Sequence, residues 1–201
     1  MPMNSWIFGR LQGLFSSEQP KCMMELVHQG TSMTPLDVNP LLKGSLDSAL
    51  ISLCDRVEVL APGSIAGLTI CNPPRTRLER AIFPRLPRYA AEIVEIPLSP
   101  NNFGSCVRAV ACGEIITCPD IANEQRFDPA WRNMNLRHGL RALQSRPVYL
   151  RDRKPYGTFV LAYREPRNET DWDAALMTFA ADAAGLIIQS DLDGVTNIAA
   201  E

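Results

Sequence analysis

Leu42, Leu46, Leu50, Leu53 and Val57 recur every three or four residues, which gathers them on one face of a helix. Pro40 fits the first turn of that helix, where a missing N–H does no harm, and Pro62-Gly63 ends it. The period then shortens. Residues 65–71 read as a strand closed by Asn72-Pro73-Pro74, and residues 78–83 as a second strand after a short basic turn. Leu86, Tyr89, Ala90 and Ile93 predict a short helix, and 96–98 a third strand. Ser105 is placed to N-cap another short helix, which Gly113 terminates. After a strand at 115–118, Asp128-Pro129 opens a helix in cap-then-proline order and Gly139 closes it, with Trp131, Met134 and His138 on one face. Residues 143–150 and 156–163 form a hairpin around Arg151-Asp152-Arg153-Lys154, and Pro147 pushes its strand toward an edge or a bulge. Finally, Thr170 and Asp173 resemble a capping box. Trp172, Leu176, Phe179, Ala183 and Ile187 then mark one long amphipathic helix.

This order predicts an α+β fold: a six-stranded, mainly antiparallel sheet flanked by helices, with the long first and last helices on one face. A chain of 201 residues suits one domain with tails. The domain is expected over residues 39–190. Residues 1–38 form an N-terminal tail or linker and 191–201 a C-terminal tail. Within the first tail, Trp6, Ile7, Phe8, Leu11, Leu14 and Phe15 outline a short amphipathic helix. Gly9 and Gly13 weaken it by about 1 kcal/mol each relative to alanine.

Charge and cysteine usage narrow the function classes. A net charge of -2 exerts no general pull on nucleic acid or an anionic membrane. Arg75, Arg77, Arg80, Arg85 and Arg88 form one local basic cluster, either an anion-binding patch or a solvated face. The six cysteines include no Cys-x-x-Cys pair and there are two histidines, so zinc-ligand spacing is absent. Most of the cysteines lie in apolar runs, where they serve as small buried hydrophobes. No secretory signal and no uncharged apolar stretch of membrane-spanning length is visible, which predicts a reducing cytoplasm. No hydrolase serine elbow, phosphate loop or pair of helical carboxylates occurs at usable spacing.

The run Phe103-Gly104-Ser105-Cys106, then Gly113-Glu114 and Pro119-Asp120-Ile121-Ala122, resembles a GAF domain. So do Phe127, Trp131-Arg132, His138-Gly139-Leu140-Arg141, Ser145, Pro147, Gly157-Thr158-Phe159 and Tyr163-Arg164-Glu165-Pro166-Arg167. The match covers about residues 103–190 and is similar to GAF domains attached to bacterial histidine kinases and diguanylate cyclases. The resemblance implies a pocket between the sheet and the short helices. It also implies first and last helices that pair with a second copy, and a sensory or regulatory role rather than catalysis.

On that resemblance the candidate ligand-binding residues are Phe103, Ser105, Cys106, Asp120, Trp131 and His138. Cys106 is a packed helix residue or a redox-sensing thiol at a helix N-terminus. Asp120 bonds the backbone of its loop or a ligand. Trp131 can stack on a ligand, and His138 can change charge near neutral pH. Two stretches depart from the family: Val107-Arg108 stands where small residues are usual, and Leu143-Gln144-Ser145 replaces Cys-Trp-Ser.

Three functions follow. The first is a small-molecule sensor that relays a signal through its terminal helices to a partner protein, acting in trans or as a piece of a longer protein. The second is a dimerisation or interaction module whose pocket is filled by its own side chains. The third, more remote, is a thiol-based free methionine sulfoxide reductase. That chemistry needs an attacking thiolate and a resolving thiol, and residues 121–135 contain no cysteine. Signatures for a metal, a bilin or a cyclic nucleotide are absent.

Overall fold

The structure is a computed structural model that describes residues 45–99 and 104–198. The tail helix around Trp6–Phe15, the Pro40 helix start and Phe103 lie outside the described residues. The first described helix, α1, runs Leu46–Leu60, and at its start the Ser45 hydroxyl accepts the Ser48 N–H at 3.3 Å. Its buried face is Leu50, Leu53, Cys54 and Val57, as the periodicity requires. Gly63, at φ +83°, turns the chain into the sheet.

Six strands follow in the spatial order β3-β2-β1-β6-β5-β4, every neighbour antiparallel. They are β1 (Ser64–Cys71), β2 (Arg77–Ile82), β3 (Ile96–Pro97), β4 (Ile116–Cys118), β5 (Ala142–Tyr149) and β6 (Pro155–Tyr163). All eight residues of β1 are buried, because helices cover both faces of the central strands. Between the strands lie the short helices α2 (Pro87–Glu92), α3 (Ser105–Cys112) and α4 (Pro129–Arg137), and the long α5 (Asp171–Ile198) closes the order.

Alternation along the strands divides the interior in two. Ile65, Cys71, Leu78, Leu143, Val160 and Ala162 join residues of α2, α3 and α4 in one cluster. The other face meets the terminal helices: α1 packs on β1 and α5, and α5 on β5 and β6. By length and composition Asp171–Gly194 could cross a membrane, yet half of it is buried within the protein. A Cβ on Gly185 would overlap the Tyr149 carbonyl, so this helix lies directly on the sheet backbone.

Both helix starts read from carboxylates are present. The Thr170 N–H donates to Asp173 Oδ2 at 3.0 Å, and the Asp173 N–H donates to Thr170 Oγ1 at 3.1 Å. Asp128 caps α4 by accepting the Ala130 N–H at 2.7 Å, with Pro129 next. The reading of Ser105 as an N-cap is corrected. Gly104 is the N-cap, without a side-chain bond, and Ser105 is the first residue inside α3 and fully buried. The cause is packing: a Cβ at residue 104 would overlap the Trp131 ring. Of the two readings of Pro147, the edge strand is not found, but the ladder of β5 with β6 shifts register just after it, between Val148 and Tyr149. β4 pairs only with Leu143–Ser145, so the missing N–H lies beyond its reach.

Candidate functional site

The layer between the sheet and the short helices is built around aromatic rings. Tyr89 of α2 is 1% exposed; its ring meets Phe83 edge-on at 5.0 Å and His138 at 5.4 Å. Its hydroxyl donates to Asn135 Oδ1 at 3.1 Å, and Asn135 Nδ2 donates to the Trp131 carbonyl at 2.8 Å. A buried phenol and a buried amide thus satisfy each other, as burial of polar groups demands. Asn135 was not foreseen, although it lies four residues after Trp131 on the same helical face.

Trp131 is 3% exposed, tilted against Phe127 at 4.7 Å and pressed onto Gly104. His138 caps the end of α4, with Nε2 2.9 Å from Glu92 Oε1; Arg137 Nη2 lies 2.9 Å from Glu92 Oε2. The hydrogen bond from His138, with help from Arg137, holds the Glu92 carboxyl below its ordinary range despite some desolvation. Glu92 and His138 therefore tie α2 to α4 above the Tyr89 ring.

Ser105 accepts a hydrogen bond from Ser145 Oγ at 3.0 Å, and the Cys106 Sγ lies 3.9 Å from the same oxygen. Thr158 Oγ1 donates to the Cys106 carbonyl at 3.1 Å. Burial pushes the Cys106 thiol up to about 11, against the opposing bonds from Ser145 and Ser105. Its position at a helix start does not make it a thiolate. Burial likewise pushes Cys71 and Cys118 to about 12, whereas Cys112 is exposed. At neutral pH an alkylating reagent is expected to label Cys112 and to spare Cys54, Cys71, Cys106 and Cys118 until the protein is unfolded. Peptide mapping by mass spectrometry checks this; native labelling of Cys106 as fast as Cys112 refutes it.

Asp120 does not join the aromatic layer. It accepts from the Ala122 N–H at 3.1 Å and from Asn123 Nδ2 at 2.7 Å, capping a 3-10 turn at Ile121–Asn123, with Arg141 at 3.4 Å. Desolvation raises its carboxyl, and these bonds outweigh that and lower it. Trp131, His138, Ser105 and Cys106 are brought into one layer, while Asp120 is spent on its own loop.

In the following loop, bonds from Arg126, against some desolvation, hold Glu124 at about 2. Because the folded carboxyl lies below the ordinary value of 4.5, its stabilisation is complete above that value and is lost as pH falls toward 2. The urea midpoint of the wild type is therefore expected to drop more between about pH 5 and about pH 2.5 than that of Glu124→Gln. Equal drops sink the assignment.

Two cavities lie elsewhere, and none of the five described candidates, Ser105, Cys106, Asp120, Trp131 and His138, lines either of them. One, of about 20 Å³, lies between β5 and the loop before α5. The other is an open groove of about 520 Å³ beside β2, α1 and α2. Four of the five clustered arginines are ion-paired: Arg75 bonds Asp152, Arg77 bonds Glu79 and Glu95, Arg80 bonds Asp47 and Arg85 bonds Glu58. Among the described residues no group of three or more His, Cys, Asp or Glu side chains could hold a metal.

A model of the GAF domain family matches residues 45–188. Solved structures with the same fold include a domain described as part of a two-component sensor histidine kinase from Sinorhizobium meliloti 1021, at 15% identity and TM-score 0.60, covering 77% of this chain and 98% of that one. The GAF domain of an Acinetobacter phosphoenolpyruvate-protein phosphotransferase is similar at 16% identity and TM-score 0.55, covering 78% and 92%. Free methionine-R-sulfoxide reductase from Neisseria meningitidis is similar at 13% identity and TM-score 0.60, covering 90% and 98%. At these identities the likeness is one of fold. No curated protein sequence matches the chain.

Proposed function

Because the chain belongs to the GAF domain family, whose members are typically sensory and regulatory modules, we propose that it is a non-enzymatic regulatory module of the bacterial cytoplasm. In this reading its inner layer is filled by its own side chains, and it works through protein contacts. The observation that carries this is the occupancy of the space beneath the short helices by Tyr89, Trp131 and Met134, at 1%, 3% and 4% exposure. The candidate residues Ser105, Cys106, Trp131 and His138 are then packing and capping residues. Output runs through α1 and α5, which the Trp172 Nε1–H joins by donating to the Leu60 carbonyl at 3.1 Å. Ile51, Val59, Trp172 and Leu186 are exposed on those two helices, which suits pairing with a second copy. The buried, protonated Cys106 argues against a thiol reductase.

One observation favours a second reading, the small-molecule sensor. The Tyr89 plug is carried by a six-residue helix fastened to α4 through Glu92, His138 and Arg137 at the surface. Release of that tie opens the layer to a ligand, which acts only if it binds the open form more tightly. Native mass spectrometry on freshly purified protein separates the two. A dimer with no added mass is expected. A stoichiometric co-purified small molecule overturns the self-filled reading in favour of the sensor. Turnover of free methionine sulfoxide with a thiol reductant overturns both.

A further inference from the structure

Gln144 lies in the middle of β5, opposite Thr117 of β4 and Leu161 of β6. Its neighbours Leu143 and Ser145 face the short helices, so its own side chain projects to the other face, toward the terminal helices. It is 5% exposed. Neither Oε1 nor Nε2 has a hydrogen-bond partner among the described residues, and both are shielded from bulk solvent. Such a buried amide is costly, and buried polar groups almost always have a protein or ordered-water partner.

Beside it lies the cavity of about 20 Å³, whose polar lining is Gln144 with Thr117, Tyr163, Arg167, Asn168, Glu169 and Asp173. The Asp173 carboxylate is already engaged by Tyr163, Arg167 and Thr170, and Glu169 Oε2 by Thr117. The volume and the chemistry together select the occupant. A site of this size admits about one water, which needs roughly 10–15 Å³. It is far below the roughly 300 Å³ or more of ordinary small-molecule pockets. A cation would leave the Nε2 donor facing it, and an anion would face the carboxylates of Glu169 and Asp173. A neutral group that both donates and accepts meets the amide completely: one water can donate to Oε1 and accept from the adjacent N–H of Nε2. Glu169 and Thr117 on the rim supply the further partners that internal waters usually have.

We infer that this cavity is a binding site for a single internal water, held by the Gln144 amide and joining β5 to the loop that leads into α5. The water completes the polar layer formed by the Thr170–Asp173 cap and the Thr117–Glu169 bond. It makes the junction of α5 with the sheet a hydrogen-bonded seam rather than an apolar contact. The site does not depend on which regulatory reading holds.

The test uses the full-length wild-type protein. A high-resolution crystal structure is expected to show one ordered water within hydrogen-bond distance of both Gln144 Oε1 and Nε2. In solution, cross-relaxation between water and the Gln144 side-chain NH2 protons is expected to report a bound water that outlives surface hydration. Gln144→Met, which keeps the length and removes both polar atoms, is expected to abolish that signal at the neighbouring Thr117 and Leu161 amides. A Gln144 amide bonded directly to protein groups, or wild-type NH2 protons without a long-lived water contact, overturns the inference. So does a water that persists in the Met variant.

Discussion

Gly157→Ala is expected to cost about 3 kcal/mol or more, at or above the top of the usual overpacking range. For a domain of this size that corresponds to a melting temperature lower by roughly 6–12 °C. Gly157 lies in β6 opposite Ile70 of β1 and Val148 of β5. A Cβ there would overlap the Thr69 carbonyl oxygen. That oxygen belongs to the backbone of a fully buried strand, so no side-chain rotation relieves the clash. The β5–β6 ladder shifts register at this level, between Val148 and Tyr149, and β1 shifts against β2 between Ile70 and Cys71. Such irregularities bend and twist a sheet, and the missing Cβ lets β6 pass closely at the bend. Gly194→Ala is the control. Nothing lies within 4 Å of a Cβ built at that helical position, and it should gain up to about 1 kcal/mol. Thermal unfolding of both variants checks the pair; a Gly157→Ala protein that melts with the wild type removes the argument.

The strands and helix ends were legible because each rests on a few adjacent residues. Thr170 with Asp173, and Asp128 with Pro129, state their caps locally, and both caps form. The six strands could be read from apolar runs, but no local signal orders them as β3-β2-β1-β6-β5-β4. Ser105 failed as a cap because a tertiary contact, Trp131 against Gly104, moves the helix start by one residue. Asp120 takes the first of its two readings, bonding its own loop, because that turn offers two donors. Gln144 is the opposite case. A glutamine among Leu143, Ser145 and Pro147 was visible as a departure, yet its burial without a protein partner emerges only when β4, β6 and the loop before α5 surround it.

Trp131→Ala is expected to lose about 3–5 kcal/mol, the range for deleting a buried large aromatic. Two contacts set that magnitude. The ring touches Gly104 so closely that residue 104 cannot carry a Cβ, and its other side meets Phe127 at 4.7 Å. Removing it leaves a hole against the start of α3, and the surrounding backbone can close only part of it. Ser105 and Cys106 follow Gly104 directly, so the variant should also raise the alkylation rate of Cys106 toward that of Cys112. Trp131→Phe keeps most of the volume and should lose less and leave Cys106 protected. The two readouts separate the functional readings. If the inner layer is packed by its own side chains, stability falls and the thiol opens together. If the layer is a collapsible ligand pocket, the short helices settle into the space. Trp131→Ala then unfolds within about 1 kcal/mol of the wild type, with Cys106 still protected. That second result would remove the basis for a self-filled interior, because a site that closes over a missing indole is one that can also open for a ligand.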